Sequence, residues 1–377
     1  MGMWRESGFL RIALRFIAAK RTLCFLTHIP LMPKPETVGI IGAGTFGTAM
    51  ANLLALNTEV LVYSRNKELA EKLQKDRLRF GVKLHDRVTV LNDFEEIADR
   101  CQLILPIVPS NNFRDMMRSV TKHLQPSHVM IHGTKGFDIT GVDEQDIPMT
   151  GIDRRQVHTM TEVILEESVV VRVGALAGPN LARELLDGQP SASAIASKFD
   201  EVIQRADAVL SSPQLHVFHT HDLLGAELAG VLKNVVALGS GILKGYGLGK
   251  NVQAMLITRG LHEMIHFGRA LGSDNTAFFG TAGIGDLIAT ATSSKSRNYT
   301  FGFRLGSGEN LEEVRATSQE LAEGVRTLMI TRHLAKNLRL RAPITEMLYR
   351  IVFENYPIAE AMDFLITYPY EVDVDFL

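Results

Sequence analysis

The sequence predicts an α/β fold, a doubly wound parallel sheet domain followed by an all-helical C-terminal domain. Three observations carry that reading. An apolar β-rich run, Thr37-Val38-Gly39-Ile40-Ile41, feeds the tight turn Gly42-Ala43-Gly44-Thr45-Phe46-Gly47, and the turn opens a helix-favouring stretch over residues 48–54. Short β-rich runs and helical stretches then alternate as far as about residue 196, and strands separated by helices give parallel βαβ units. Past about Thr220 helix-period segments take over, with few β-rich runs between them.

A chain of 377 residues is long enough for two or three domains, at roughly 150 residues per domain. Its composition is that of an ordinary soluble globular protein, 46% hydrophobic and 22% charged. With 40 basic against 42 acidic residues the formal net charge is −2. That balance excludes a general pull toward nucleic acid or an anionic membrane, so an anionic substrate needs a local basic site. Cys24 and Cys101 stand far apart and neither belongs to a CxxC pair. A disulfide framework and a cysteine zinc site are therefore not expected, and a reducing cytoplasm fits.

The first 31 residues differ from the rest. Arg5, Arg11, Arg15, Lys20 and Arg21 against Glu6 give them a net charge of +4. Apolar residues surround those cations, but Arg11 and Arg15 interrupt any run able to span a bilayer, and no small-residue cleavage pattern is clear. A targeting or membrane-surface segment is one reading; an upstream extension, with the working protein starting at Met32, is the simpler one. The expected division is an extension at 1–31 that need not be structured, a nucleotide-binding domain at 32–220 and a helical substrate domain at 221–377.

Within the first domain, β-rich runs lie at 37–41, 59–63, 102–108 and 128–131, and helical stretches at 67–74 and 113–123. Runs at 169–177 and 193–196 extend the sheet. Residues 141–155, with Asp143, Glu144, Asp146, Asp153, Pro148 and two glycines, read as a solvent-exposed insertion. In the second domain, 223–239, 252–271, 312–337 and 344–353 read as helices. A cleft at the domain boundary is the expected ligand site.

Strand, glycine turn and helix in that order are the context of a Rossmann-type dinucleotide site. Gly42 makes the turn, Gly44 lets backbone approach a pyrophosphate, and Gly47 lets helix pack closely on strand. The unpaired N–H groups and positive end of the helix then face the phosphates. The second strand ends Val62-Tyr63-Ser64-Arg65 without a carboxylate. A carboxylate there would favour NAD, whereas Arg65 suits the 2′-phosphate of NADP; an ordinary surface arginine is the alternative. NADP(H) acceptance without exclusivity is expected.

Candidate chemistry sits on residues 226–237. Ala226, Gly230, Lys233 and Ala237 share one face of a helix, a small-residue face carrying a single ammonium. Val231, Leu232, Val235, Val236 and Leu238 make the helix apolar nearly all round, hence buried. A buried lysine needs a partner or a job, and desolvation lowers its pKa toward neutrality. A second cluster is Gly283-Ile284-Gly285-Asp286, Thr290 and Ser296-Arg297-Asn298. Asp286 and Thr290 share a helical face, with an N-cap as the competing role for Asp286. Arg297 can grip a phosphate with two N–H bonds and Asn298 can add an amide donor, or the stretch is a polar loop.

These residues resemble the bacterial NAD(P)-dependent glycerol-3-phosphate dehydrogenases from about residue 32 to residue 363. The motifs are GAGTFGTAMA at 42–51, VPSNNFR at 108–114, TKGFD at 134–138, AGPNLARE at 177–184 and ELAGVLKNVVAL at 227–238. They continue with GLGKNVQAMLITRGLHEM at 247–264, GIGDL at 283–287, SRN at 296–298 and AEGVRT at 322–327. The resemblance implies interconversion of sn-glycerol 3-phosphate and dihydroxyacetone phosphate, feeding phospholipid synthesis, with NAD(H) or NADP(H) as cofactor. It implies Lys233 as proton acceptor and Lys135 in contact with cofactor and substrate. It also implies Gly178, Asn180, Asp286, Ser296, Arg297 and Asn298 around the substrate. Thr45, Phe46, Arg65, Ala182, Leu321, Glu323 and Arg297 are implied around the cofactor. Asn180 departs from the Ser or Thr of many members, and the 141–155 segment makes the chain longer than usual between Lys135 and Gly178.

Rival readings exist. His262-Glu263-Met264-Ile265-His266 matches the HExxH zinc signature, but no third ligand has a matching spacing, and a chance match is preferred. His216, His219 and His221 read as structural. A hydroxyacid or 6-phosphogluconate type of dehydrogenase would share the architecture, and a nicotinamide-binding sensor would share the fold without turnover. Lys233-Asn234 with Ser296-Arg297-Asn298 favours the phosphorylated triol over the former, and Lys135, Lys233, Asp286 and Arg297 together argue against the latter. Expected partners are the small substrate alone, with no metal, no nucleic acid and no stable membrane insertion, and a homodimer left open.

Overall fold

The computed structural model describes residues 36–318 and 322–369. The +4 extension at 1–31, Cys24 and the expected cofactor residue Leu321 lie outside the described residues.

Eight strands form one sheet: β1 (Val38–Ile41), β2 (Val60–Tyr63), β3 (Val88–Leu91), β4 (Leu103–Pro106), β5 (Val129–His132), β6 (Arg172–Ala177), β7 (Ser191–Ser197) and β8 (Leu215–Thr220). Their spatial order is β8-β7-β6-β5-β4-β1-β2-β3. The run 3-2-1-4-5-6 within it is that of a dinucleotide-binding sheet, and its order reverses between β1 and β4. The register pairs Ile41 with Tyr63 on one side and with Pro106 on the other, so the turns after β1, β2 and β4 open at one edge. Central strands are apolar on both faces because helices cover both. On one side the α1 helix (Thr45–Leu54), α2 (Lys67–Asp76) and α7 (Asp200–Leu210) bury Met50, Leu54, Leu73, Val202 and Val209. On the other, α3 (Phe94–Arg100), α4 (Phe113–Val120) and α5 (Met160–Glu167) bury Ile97, Phe113 and Val163.

Two sequence expectations are corrected here. The sheet is not wholly parallel: β7 runs antiparallel to β6, because only the short α6 (Ala182–Leu186) separates them and the chain turns straight back. A parallel return would need a longer crossover. The 141–155 segment is exposed at most positions but is not solvated throughout. It contains the helical turn Ile147–Thr150, and Ile147 and Ile152 are buried in the core of the helical half. Glu144 pairs with Arg326, whose guanidinium also donates to the Phe137 carbonyl at 2.6 Å. Its polar residues face out while two isoleucines, easily overlooked in a polar loop, anchor it.

The helical half is built on α8 (Leu223–Gly245), buried along nearly its whole length. Around it lie α9 (Lys250–Leu271), α10 (Asp286–Ala291), α11 (Arg297–Gly306), α12 (Leu311–Thr317), α13 (Glu323–Asn337), α14 (Pro343–Glu354) and α15 (Ile358–Thr367). The expected single helix at 312–337 is therefore two, α12 and α13. Against the sheet, Ala175, Ala177, Ala194 and Ala196 meet Ala226, Ala277 and Ala282, so helix and sheet approach across small side chains.

The crossing of α8 with α11 is closer still. A Cβ on Gly302 would lie 2.0 Å from the Leu238 carbonyl oxygen, one on Gly306 2.1 Å from that of Ile242, and one on Gly241 2.0 Å from that of Tyr299. The two helices carry matching Gly-x3-Gly pairs, 241/245 and 302/306, and run in register with a constant offset. That register sets Lys233-Asn234 level with Arg297-Asn298. Gly302→Ala is expected to lower stability by about 1–2 kcal/mol by thermal unfolding, since overpacking against backbone outweighs the ~1 kcal/mol gain in helix propensity.

Candidate active site

The glycine turn behaves as its sequence suggests. Gly42 has φ +119°, and a Cβ there would sit 2.2 Å from the Ile107 carbonyl oxygen, where the chain leaves β4. A Cβ on Gly47 would sit 2.0 Å from the Gly42 carbonyl oxygen. Gly44 differs: a Cβ added there meets nothing within 4 Å. Gly44 is also the N-cap of α1 and offers no side chain to the N–H groups of the first turn, which begins with Thr45 and Phe46. An open side beneath uncapped N–H groups at the strand-order reversal fits a dinucleotide pyrophosphate. Phe46 packs against Gly133, whose Cβ would lie 2.9 Å from its ring. At the end of β2, Arg65 is exposed and its carbonyl accepts from Asn92 Nδ2 at 2.9 Å, which fixes the backbone and leaves the side chain at the surface.

Lys233 lies on α8 and is 6% exposed. Its Nζ donates to Asp286 Oδ1 at 2.6 Å and to Thr290 Oγ1 at 2.7 Å. Lys135, from the turn after β5, donates to the other oxygen of the same carboxylate, Asp286 Oδ2, at 2.6 Å and to the Gly178 carbonyl at 3.0 Å. Gly230 faces its stem: a Cβ there would meet Lys135 Cγ at 3.5 Å, an ordinary van der Waals contact. The small-residue face of α8 thus accommodates a second lysine that periodicity alone did not supply.

Electrostatics follow from this triangle. Burial pushes Lys233 down to about 8; Asp286 opposes the shift and Lys135 adds to it. For Asp286 burial acts to raise the pKa, but the two ammonium groups outweigh it and hold the carboxyl below its ordinary range. The N-cap alternative for Asp286 is therefore set aside. It is the first residue of α10, after a wide π-helical turn at Thr281–Gly285, and its oxygens go to the lysines.

The remaining candidates form an arc. Asn298 Nδ2 donates to Asn234 Oδ1 at 2.9 Å, and Asn298 Oδ1 accepts from the Gly324 N–H at 2.9 Å. Ser296 caps α11, accepting from the Tyr299 N–H at 3.4 Å, and Arg297 begins that helix. Glu323 begins α13; its Oε1 accepts from Ser110 Oγ at 3.1 Å, and burial raises its pKa while Arg326 and Arg297 act against the rise. Gly178 has φ +117° and carries the carbonyl that Lys135 holds. Asn180 Oδ1 accepts from Ser193 Oγ at 2.7 Å, which fixes the amide orientation and leaves the buried Nδ2 unmatched among the described residues. Ala182 opens α6, next to Arg183, which donates to the Phe80 carbonyl at 3.2 Å.

Sequence reasoning did not include Ser110 among the site residues, although it stands in the VPSNNFR motif, and used Thr290 only as a spacing partner. Neither has a local signal for its contact, because the partners lie 213 and 57 residues away. Glu263 of the HExxH match has another task. Its carboxylate accepts from Ile344 N at 2.5 Å, Thr345 N at 3.0 Å and Thr345 Oγ1 at 2.8 Å, capping α14 from a neighbouring helix.

Comparison with known proteins bears on most of the chain. Residues 37–203 match the model of the NAD-dependent glycerol-3-phosphate dehydrogenase N-terminus, and residues 222–363 match that of the C-terminus. A glycerol-3-phosphate dehydrogenase [NAD(P)+] of Saccharophagus degradans is 35% identical over 91% of this chain and 93% of its own. That of Ectopseudomonas mendocina is 36% identical over 92% of this chain and 98% of its own. The crystal structure of glycerol-3-phosphate dehydrogenase from Coxiella burnetii superposes with a TM-score of 0.78 at 27% identity, covering 89% of this chain and 100% of that one.

Proposed function

Because the chain belongs to the NAD-dependent glycerol-3-phosphate dehydrogenase family, we propose that the Lys233–Asp286–Lys135 triangle is where it moves the proton of its reaction. The protein is an NAD(P)-dependent oxidoreductase acting on a CH–OH group. It interconverts sn-glycerol 3-phosphate and dihydroxyacetone phosphate, consistent with a role in glycerophospholipid synthesis. The division into a nucleotide domain at 32–220 and a substrate domain at 221–377 belongs to the same proposal.

The single observation that carries the site assignment is the buried Lys233 ammonium, brought to about 8 by burial beside one shared carboxylate. The nicotinamide cofactor supplies the hydride acceptor or donor, and Gly42, Gly44, Thr45, Phe46 and Gly47 would hold it. Two of the three N–H bonds of the Lys233 ammonium go to Asp286 and Thr290, which leaves the third for the substrate oxygen. In oxidation the neutral amine takes the C2 hydroxyl proton. In reduction the ammonium returns it and steadies charge developing on the oxygen. Lys135 is oriented by Gly178 and Asp286 and adds a second positive charge beside that oxygen. Arg297, Ser296 and Asn298 at the start of α11 and the Asn180 amide would hold phosphate and hydroxyl, and remote phosphate binding orients C2.

The substrate is a small molecule, and the reading extends to a cytoplasmic protein without stable membrane insertion, with a homodimer left open. In its support, α8 is the one helix among the described residues long and apolar enough to cross a membrane, and 94% of its most apolar stretch is buried in the protein. The test is consumption of NADH and NADPH with dihydroxyacetone phosphate against a panel of keto acids. Turnover with the keto acids in place of the phosphorylated ketone would overturn the substrate assignment.

Arg65→Ala reads the cofactor assignment. It is expected to lower kcat/KM for NADPH by about 10-fold, the worth of a charge-assisted hydrogen bond, and to leave NADH within about twofold. Equal values for NADPH before and after the change would remove Arg65 from the cofactor site.

A further inference from the structure

We propose that the buried His132–Glu227 pair is a positioning device for the reaction, holding the Lys135 turn in register with Lys233. The proposal rests on the roles given above to the two lysines. His132 is the last residue of β5, three before Lys135; Glu227 lies on α8, six before Lys233. His132 Nε2 stands 3.0 Å from Glu227 Oε1, and their side chains are 2% and 4% exposed. The pair therefore ties the carboxyl end of a sheet strand directly to the helix that bears Lys233.

Each partner is itself held. Glu227 Oε1 also accepts from the Thr161 N–H at 2.9 Å, and Oε2 accepts from Thr159 Oγ1 at 3.1 Å. The other ring nitrogen of His132 faces the Thr134 carbonyl at 3.2 Å, and Thr134 Oγ1 donates to the Val108 carbonyl at 2.7 Å. Both nitrogens of the ring thus face oxygen atoms, so the ring is held from two sides. The backbone between His132 and Lys135 is pinned through Thr134 from both sides. Beyond it, Lys135 and Lys233 reach the two oxygens of one carboxylate at 2.6 Å each.

Stability alone gives little reason for such a pair. Two buried polar groups cost desolvation that a well-packed apolar pair of similar volume would avoid. A hydrogen-bonded pair adds direction: it admits one relative placement of strand end and helix, whereas apolar contact tolerates sliding. An error of about 1 Å at reacting groups can cost on the order of 10²-fold in rate. Neither His132 nor Glu227 bonds to Lys135 or Lys233, so both act through the backbone that carries them.

The experiment is steady-state reduction of dihydroxyacetone phosphate with NADH by the full chain and by Glu227→Leu, His132→Phe, their double variant, Glu227→Gln and His132→Gln. Folding is checked for each by circular dichroism and thermal unfolding. Glu227→Leu and His132→Phe are each expected to lower kcat about 10- to 100-fold with KM for NADH within about twofold. The double variant should be no slower than the slower single variant, because both break one link. Glu227→Gln keeps a carbonyl for the ring and should recover kcat to within about fivefold of wild type. His132→Gln keeps a donor to Glu227 but releases Thr134, and should lose about 5- to 10-fold. The proposal is overturned if folded Glu227→Leu or His132→Gln turns over at the wild-type rate, with only the melting temperature changed. Independent, multiplying losses in the double variant overturn it as well. If Glu227→Leu or His132→Phe does not fold, the Gln variants decide. Wild-type turnover by Lys233→Met would instead remove the role of Lys233, and the kcat coupling of His132 with Glu227 would still be read on its own.

Discussion

Lys233→Met is expected to lower kcat by about 10³-fold or more in both directions, with the protein still folded. Loss of a positioned general acid or base costs roughly 10²–10⁴, and the same ammonium also stabilises charge on the substrate oxygen, which pushes the loss toward the upper end. The fold should survive, because methionine nearly matches lysine in length and needs no counter-charge at a site 6% exposed. Asp286, 2.6 Å from Lys135 in the wild type, should keep that partner in the variant. The pH dependence gives a second readout. Since Lys233 sits at about 8, oxidation needs the neutral amine and should rise as pH climbs through about 8. Reduction needs the ammonium and should fall above the same value. The variant should lose both limbs. A folded Lys233→Met protein with near-wild-type kcat would end this assignment.

Asp286→Asn should be the most damaging single change to the site's electrostatics. The carboxylate is 1% exposed and compensates two ammonium groups at once. Breaking a buried ion pair by removing one partner costs about 3–5 kcal/mol, and here two cations lose their counter-charge together. Lys233 limits the cost by releasing its proton, since Asp286 is what opposes burial in setting its pKa. The variant should therefore melt at lower temperature, and its reduction activity should fall off at lower pH than wild type. At neutral pH kcat/KM should drop by about 10² or more, because an unprotonated Lys233 cannot return a proton to the substrate. The stability part carries its own sign. Asp286 has a lowered pKa when folded, so its contribution is fully present above the ordinary carboxylate range and is lost as pH falls through and below it. An unshifted pH limb in Asp286→Asn would show that the carboxylate does not tune Lys233.

Legibility in the sequence tracks how local each feature is. Strand, glycine turn and helix at residues 38–54 are contiguous, and so were readable: the turn demands Gly42 and Gly47 because neighbouring backbone fills their Cβ positions. Strand β3, Val88-Thr89-Val90-Leu91, went unread because it alternates buried with half-buried positions and offers no continuous apolar run, whereas the equally short β1, β2, β4 and β5 are buried at nearly every position. The antiparallel β7 escaped because a β-rich run does not encode its direction. Residues 141–155 were misjudged because two buried isoleucines decide their fate and ten polar or small neighbours obscure them. The four glycines at 241, 245, 302 and 306 were visible as spacings, but nothing along the chain says that the two pairs face each other.

By itself the sequence determined that a dinucleotide turn exists, that a helix near residue 233 is buried, and that one lysine sits on its small-residue face. Those are properties of neighbours along the chain, where a period of 3.6 or 2 decides which side chains share a face. The tertiary structure decided that Lys233, Lys135 and Asp286 are a single charged unit. Its members come from α8, the turn after β5 and the start of α10, and Lys135 lies 151 residues from Asp286. Their meeting depends on a glycine-lined helix crossing, an alanine-lined contact with the sheet and a buried His132–Glu227 link. Desolvation in the assembled protein, with the opposing charge of Asp286 and the like charge of Lys135, brings Lys233 to about 8, and no stretch of chain supplies that environment until the whole has folded.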